Sequence, residues 1–334
     1  MKYSSYLKAK DYSMSNVVPA FRQVQQKYEL KDNIFYKYAN QLAMCGNEKI
    51  IDICKGCGTP YFSGANTCKN RFCPICQKQK SLLLFSKVYP KIVELMNLGF
   101  YVNIMTFTIK DTEKLSDGLY LLKTAYRNIT GKNKIYSFIF KRMFVGGIKS
   151  LEVKRGKNSK DWHPHFHVLV IKKDFSEDRK LLNLIWNKEL KRLVNNADHT
   201  IYEDKIYTNE KLGDVWISSI KDYNRAGRTK AIYECLKYIT KYGEDTQLVN
   251  DLEELVFNLK NIHSVDSWGI LRGIEKDDED YDLSLANIKE KICRTCGSIE
   301  FETLNGITLK ELEKIGVSTD LQDFDCWENN YEKN

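Results

Sequence analysis

Proline and glycine are scarce in this chain, at 5 and 18 of its 334 residues. With 20 Tyr, 15 Phe and 5 Trp beside them, that scarcity excludes a disordered or low-complexity protein. No apolar run reaches the roughly 18 residues of a membrane span. The start, MKYSSYLKAKDYSMSN, lacks the apolar stretch of a signal peptide. A cytoplasmic protein with no membrane partner is therefore expected. Histidine is as scarce as proline, at 5 residues, so any clustering of it carries information. A hydrophobic share of 43% is enough to fill the cores of two or three domains.

Cysteine, by contrast, is abundant. Ten are present, and five crowd into Cys54–Cys76, four of them as two CxxC pairs, which point to metal and a reducing compartment. Cys54-Lys-Gly-Cys57 and Cys73-Pro-Ile-Cys76 are two knuckles that each supply two sulfurs. Four thiolates at about 2.3 Å make a tetrahedral zinc site. Cys68 is a substitute for any one of the four. Lys55, Lys69, Arg71 and Lys78 surround the cluster and favour thiolates. Structural Zn²⁺ is the expectation; an iron–sulfur cluster or redox dithiol is the alternative, for which the chain supplies no redox partner. Cys293-Arg-Thr-Cys296-Gly repeats the CxxCG pattern, but only Cys326 lies downstream, so a second closed site is not expected there. Cys45 and Cys235 read as small buried apolar residues.

The net charge of +8 hides a division. Residues 1–243 carry 43 basic and 22 acidic side chains, a net of +21, whereas residues 244–334 carry 9 and 22, a net of −13. A strongly basic half suggests nucleic acid, and an acidic tail beside it could compete for the same groove. The expected organisation is a helical segment at 1–48, a Cys-rich zinc module at 49–80, a basic domain at 81–245 and an acidic segment at 246–334.

Hydrophobic periodicity orders the basic domain. A helix runs from Ser81, interrupted at Pro90 and closed by Gly99. YVNIMTFTI (101–109) is a buried strand, and 112–130 has helical period. Strands at 144–155 and 163–171, joined by a short link, form a hairpin. A helix at 177–194, a strand at 214–220 and a helix at 229–242 follow. This order predicts an α+β fold with an antiparallel sheet.

Three of the five histidines fall in His163-Pro-His165-Phe-His167. Strand side chains alternate, so all three imidazoles share one face while Phe166 takes the other. Three imidazoles together are costly as core, and metal ligation is their natural use. Glu152, on the preceding strand, faces the same site if the two strands pair antiparallel. A mixed oxygen and nitrogen set suits Mn²⁺ or Mg²⁺ better than closed structural zinc. Pro164 lacks an N–H, which places the segment at a sheet edge or strand start.

Glu234, Tyr238 and Tyr242 recur at helical spacing and form one stripe, with Lys241 three residues after Tyr238. Such a stripe is usually half-buried packing. Beside a metal-ready strand in a basic domain, however, a tyrosine oxygen can attack a phosphodiester.

Together these residues resemble the rolling-circle replication initiators of small plasmids, within the HUH endonuclease superfamily. CKNRFCPICQKQKS (68–81) is similar to that family's Cys-rich block, and MTFTIKD (105–111) to its first motif. The run from Gly147 through SLEVKR to WHPHFHVLV resembles its metal motif, and ECLKYITK (234–241) its Glu-x3-Tyr-x2-Lys motif. The resemblance spans about residues 45–245 and implies an antiparallel-sheet HUH nuclease domain of ferredoxin or RRM type. It implies that His165 and His167 hold the divalent ion with either Glu152 or His163 as third ligand. It makes Tyr238 the nucleophile, Glu234 the base that later activates water, and Lys241 a phosphate contact. Plasmid origin DNA, single-stranded or in a hairpin, is the implied partner, with host polymerase and helicase after it. The implied product is a 5′-phosphotyrosine and a free 3′-OH.

Tyr242 gives a Tyr-x3-Tyr spacing like that of two-tyrosine HUH enzymes, which include transposases. A transposase is thus one alternative. A non-catalytic zinc-dependent DNA-binding repressor and a metal-dependent hydrolase of small molecules are two others.

Overall fold

The computed structural model describes residues 2–28, 33–174, 179–195, 211–220, 225–236, 248–276 and 291–323. The chain divides into two compact units. One comprises Met1–Ser86, Thr246–Glu253 and Asp277–Asn334; the other comprises Lys87–Asp245 and Glu254–Lys276. In chain order, the α-helices of the first half are α1 (Tyr3–Tyr12), α2 (Val18–Gln26), α3 (Ile34–Met44), α4 (Pro74–Asn97) and α5 (Leu115–Arg127). They are followed by α6 (Lys134–Met143), α7 (Arg179–Asn195), α8 (Arg225–Leu236), α9 (Leu248–Leu259) and α10 (Leu309–Lys314). The strands are β1 (Lys49–Cys54), β2 (Pro60–Ala65), β3 (Tyr101–Ile109) and β4 (Gly146–Arg155). Then come β5 (Trp162–Lys172), β6 (Gly213–Ser219), β7 (Val265–Gly269) and β8 (Phe301–Ile307).

In the first unit, Asn33 caps α3 by accepting the Tyr36 N–H at 2.9 Å. Tyr6, Phe21, Phe35 and Phe72 are fully buried around α1–α3. A three-stranded antiparallel sheet runs in the order β2-β1-β8. Asp52 in its middle strand is fully buried and accepts hydrogen bonds from Ser63 and Thr303, with Lys291 at 2.8 Å. Gln322 adds backbone hydrogen bonds to Pro60 and Phe62 at 2.9 Å each.

The second unit is built on a five-stranded sheet in the order β6-β3-β5-β4-β7, antiparallel throughout. Phe107, Tyr126, Phe166 and Trp186 cross edge-on on one face, beneath α5 and α7. Each such buried side chain contributes about 1.5–3 kcal/mol of transfer free energy. Trp186 Nε1 donates to the Thr108 carbonyl at 2.8 Å, so its one polar atom is satisfied. Gly147 leaves room for an indole: a Cβ there would lie 2.4 Å from Trp268. The opposite face carries Thr106, Thr108, Ser150, Glu152, His165 and His167, and α8 packs on that side.

Several expectations change. Pro90 does not interrupt α4, which continues to Asn97 and ends in Gly99 at φ +89°. There the Phe100 N–H bonds the Leu95 carbonyl and the Gly99 N–H the Met96 carbonyl. β5 is the central strand, so of the two places expected for Pro164 it takes the strand start, as the third residue of β5. Pro164 is tolerated because β3 pairs only as far as His165, so no β3 partner awaits the missing N–H. The boundaries 1–48, 49–80, 81–245 and 246–334 also differ from the observed division. β8 from the acidic segment pairs with β1, a long-range match that a charge profile along the chain does not register.

Candidate metal centre

The pleat of β5 puts His163, His165 and His167 on one face. Register aligns His165 with Glu152 of β4 and Thr108 of β3, and His167 with Ser150 and Thr106. Directly opposite residues share a face, so the ligand atoms converge. His165 Nε2 lies 3.2 Å from His167 Nε2. Glu152 Oε2 lies 3.0 Å from His167 Nε2 and 3.4 Å from His165 Nε2. These three residues form a group able to hold a metal ion.

The outer contacts fix the rings. His165 Nδ1 lies 3.2 Å from the His163 carbonyl, which holds the ring with Nε2 toward the cluster. His167 Nδ1 lies 3.2 Å from Thr106 Oγ1, leaving its Nε2 toward the same point. Burial pushes the His165 imidazole below its ordinary value, opposed by its hydrogen bond to Glu152. Burial alone would raise the Glu152 carboxyl. Its hydrogen bonds with His165 and His167 outweigh that and hold it well below the usual carboxylate range. An ionised carboxylate beside a neutral imidazole is the state a divalent cation requires.

His163 goes elsewhere. Its Nδ1 sits 2.5 Å from Asp111 Oδ1, and Asp111 also accepts the Ser159 hydroxyl. Of the two candidates for a third ligand, the fold brings Glu152 to the pair and holds His163 against Asp111. Neither Asp111 nor Thr106 stands out in the sequence as a partner of the site, because only strand register brings them beside the histidines.

Ser150 Oγ donates to the Cys235 carbonyl at 2.5 Å, tying the end of α8 to the metal face. Half-buried Glu234 is the preceding residue. Tyr238 and Lys241, like Tyr242, lie outside the described residues. Trp216 was also missed by sequence reasoning. It is 55% exposed, aligned with Thr106, and carries the Arg179 guanidinium 4.0 Å from its ring centre. An aromatic in a strand reads as core until the sheet shows which face is open.

The cysteines part company with the expected pattern. Cys54, Cys57, Cys73 and Cys76 do not form one site. Two groups able to hold a metal appear instead: Cys45, Cys68, Cys73 and Cys76, and Cys54, Cys57, Cys293 and Cys296. Cys76 Sγ lies 3.6 Å from both Cys45 Sγ and Cys68 Sγ. The pair at the start of α4 thus meets Cys45 at the end of α3 and Cys68, and Cys45 is not a mere packing residue. The Cys54–Cys57 knuckle ends β1, where strand pairing with β8 delivers the other CxxC. Four thiolates at this separation fit a closed Zn²⁺ site.

The family model described as replication protein matches residues 61–297. The chain belongs to this replication protein family. "Protein rep" of Bacillus sp is 26% identical over 255 residues, covering 69% of this chain and 78% of the relative. "Protein rep" of Bacillus amyloliquefaciens is 24% identical over 261 residues, covering 72% and 73%. "Protein rep" of Staphylococcus aureus is 28% identical over 120 residues; that match takes in 35% of this chain and 50% of the relative. No solved structure matches this replication protein. Among its described residues, no helix is long and apolar enough to cross a membrane.

Proposed function

We propose that this replication protein initiates rolling-circle replication of a plasmid in the cytoplasm by nicking one DNA strand at the origin. The observation that carries the reading is the convergence of Glu152, His165 and His167 on the sheet face to which Ser150 ties the end of α8. We read the five-stranded sheet as the HUH nuclease fold.

Mn²⁺ or Mg²⁺ bound by these three residues would supply positive charge that polarises the scissile phosphate. The Tyr238 hydroxyl releases its proton to solvent as its oxygen attacks phosphorus, the bond to the 3′ oxygen breaks, and that oxygen takes up a proton from solvent and leaves as a 3′-OH. The DNA 5′ end stays linked to Tyr238, and a host polymerase, with a helicase opening the duplex, extends the 3′-OH. Lys241 offsets charge on the phosphate. Glu234 accepts a proton from water for the terminating cleavage. The net charge of +21 over residues 1–243 holds the phosphate backbone, and exposed Trp216 offers a stacking surface for an unpaired base.

The test incubates the protein with single-stranded and hairpin origin oligonucleotides and Mn²⁺ or Mg²⁺, then runs a denaturing gel. A covalent band with wild type and none with Tyr238→Phe is expected. No band with wild type, or an undiminished band with Tyr238→Phe, overturns the assignment.

A further inference from the structure

We infer that Cys54, Cys57, Cys293 and Cys296 hold a zinc ion of their own, and that this ion staples the two ends of the chain into one zinc ribbon. The two knuckles are 236 residues apart for Cys57 and Cys293, yet their sulfurs lie 3.4 Å from each other. Cys54 Sγ and Cys296 Sγ lie 3.5 Å apart. A tetrahedron with bonds of about 2.3 Å has edges of about 3.8 Å, whereas a disulfide needs about 2.05 Å. The spacing is that of a shared ion.

The backbones of the two knuckles match. The Gly58 N–H bonds the Cys54 carbonyl at 2.8 Å, and the Gly297 N–H bonds the Cys293 carbonyl at 2.8 Å. The Cys54 N–H reaches the Thr59 carbonyl at 3.0 Å, and the Cys293 N–H reaches the Ser298 carbonyl at 2.8 Å. Gly58 and Gly297 stand at φ +73° and +74°, the left-handed region each turn requires. Both knuckles are therefore built to the same pattern and face each other. Gly56 eases their close approach, since a Cβ there would lie 3.2 Å from Cys296 Sγ, tighter than ordinary van der Waals contact.

Surrounding polar contacts orient the sulfurs. The Tyr61 hydroxyl donates to Cys293 Sγ at 3.4 Å and accepts the Arg294 N–H at 2.8 Å. Thr59 Oγ1 lies 3.1 Å from Cys57 Sγ. Outside the site, the Lys55 N–H bonds the Glu300 carbonyl at 3.0 Å, continuing the β1–β8 ladder into the knuckles. Soft thiolates in a tetrahedral set with no open position select zinc, with an iron–sulfur cluster as the competitor. The consequence concerns chain topology. The unit that carries the metal-face sheet, Lys87–Asp245 and Glu254–Lys276, is inserted between parts of the unit that carries both knuckles.

Cys57 and Cys296 are exposed, which gives a test on the unaltered chain. Zinc-loaded protein is treated with a thiol-alkylating reagent and mapped by mass spectrometry, with and without a zinc chelator. Both cysteines should be protected with zinc and react at least tenfold faster after chelation. Equal rates in the two conditions overturn the site, because burial does not shield these thiols. Metal analysis of the full chain should find two zinc ions, one for each four-cysteine group, and one in Cys293→Ser/Cys296→Ser. An unchanged zinc content in that variant, or iron in place of zinc, overturns the assignment.

Discussion

The Ser150 hydroxyl donates to the Cys235 carbonyl at 2.5 Å, joining β4, the first strand of the β4–β5 hairpin, to the last turn of α8. Ser150 is 1% exposed, and its strand neighbours on the same face are His167 and, two residues on, Glu152. Position along α8 is thereby coupled to position along the metal-bearing strand. Ser150→Ala should cost about 1 kcal/mol of stability. It should slow single-turnover nicking several-fold while leaving Mn²⁺ affinity within twofold. A nicking rate equal to wild type would remove the coupling.

Glu152 and His163 should behave differently. Glu152→Gln keeps shape but removes the charge that His165 and His167 share, and Mn²⁺ affinity measured by calorimetry should fall by more than about tenfold. His163→Ala removes only the contact to Asp111 and should change affinity far less. The reverse ranking would make His163 the third ligand.

Trp216 should matter for DNA and not for metal. Stacking on an aromatic is worth about 1–3 kcal/mol per base. Trp216→Ala should therefore weaken binding of a single-stranded origin oligonucleotide by about fivefold or more, with Mn²⁺ affinity unchanged. Unaltered DNA affinity in a fluorescence titration would discard the stacking role. Wild-type binding should weaken steeply with added salt, as phosphate contacts release counterions.

Lys291 approaches buried Asp52 at 2.8 Å with 31% of its side chain exposed. Because solvent partly screens the pair, Lys291→Ala should destabilise by about 2 kcal/mol, below the loss from breaking a fully buried pair. The measurement is thermal unfolding of the whole chain. Removing residues 291–334 should be worse, because β1 loses β8 as well. Such a truncation would do more than remove an acidic competitor for DNA, which was the role its charge suggested.

Cys235 provides an internal control for thiol chemistry. Burial pushes its thiol up to about 12, so at pH 8 almost none is thiolate. It should resist alkylation in the folded protein with or without zinc, and react only after denaturation. Rapid labelling of Cys235 in native protein would mean α8 opens from the sheet.

Much of the second unit was legible in the sequence. Val102, Met105 and Phe107 are buried in the strand expected at 101–109, and the strands at 146–155 and 162–172 fall within two residues of expectation. Short-period patterns report local structure directly, which is why these elements could be read. β1, β2 and β8 could not be read that way. Their stretches are short, interrupted by glycine or charge, and stabilised by pairing across the chain rather than by their own periodicity.

The same division runs through the candidate sites. Alternation at His163, His165 and His167 follows from the two-residue period of any strand, so the sequence by itself determined that the imidazoles share a face. Each CxxC is likewise a local turn, fixed by its own spacing and the glycine after it. Which partners those local units meet is a tertiary decision. Strand register chose Glu152 over His163, because it sets Glu152 opposite His165 while Asp111 draws His163 aside. Pairing of β1 with β8 sent Cys54 and Cys57 to Cys293 and Cys296, leaving Cys73 and Cys76 to Cys45 and Cys68. Contacts between residues more than two hundred positions apart depend on the free energy of the whole packed unit, and no window along the chain contains it.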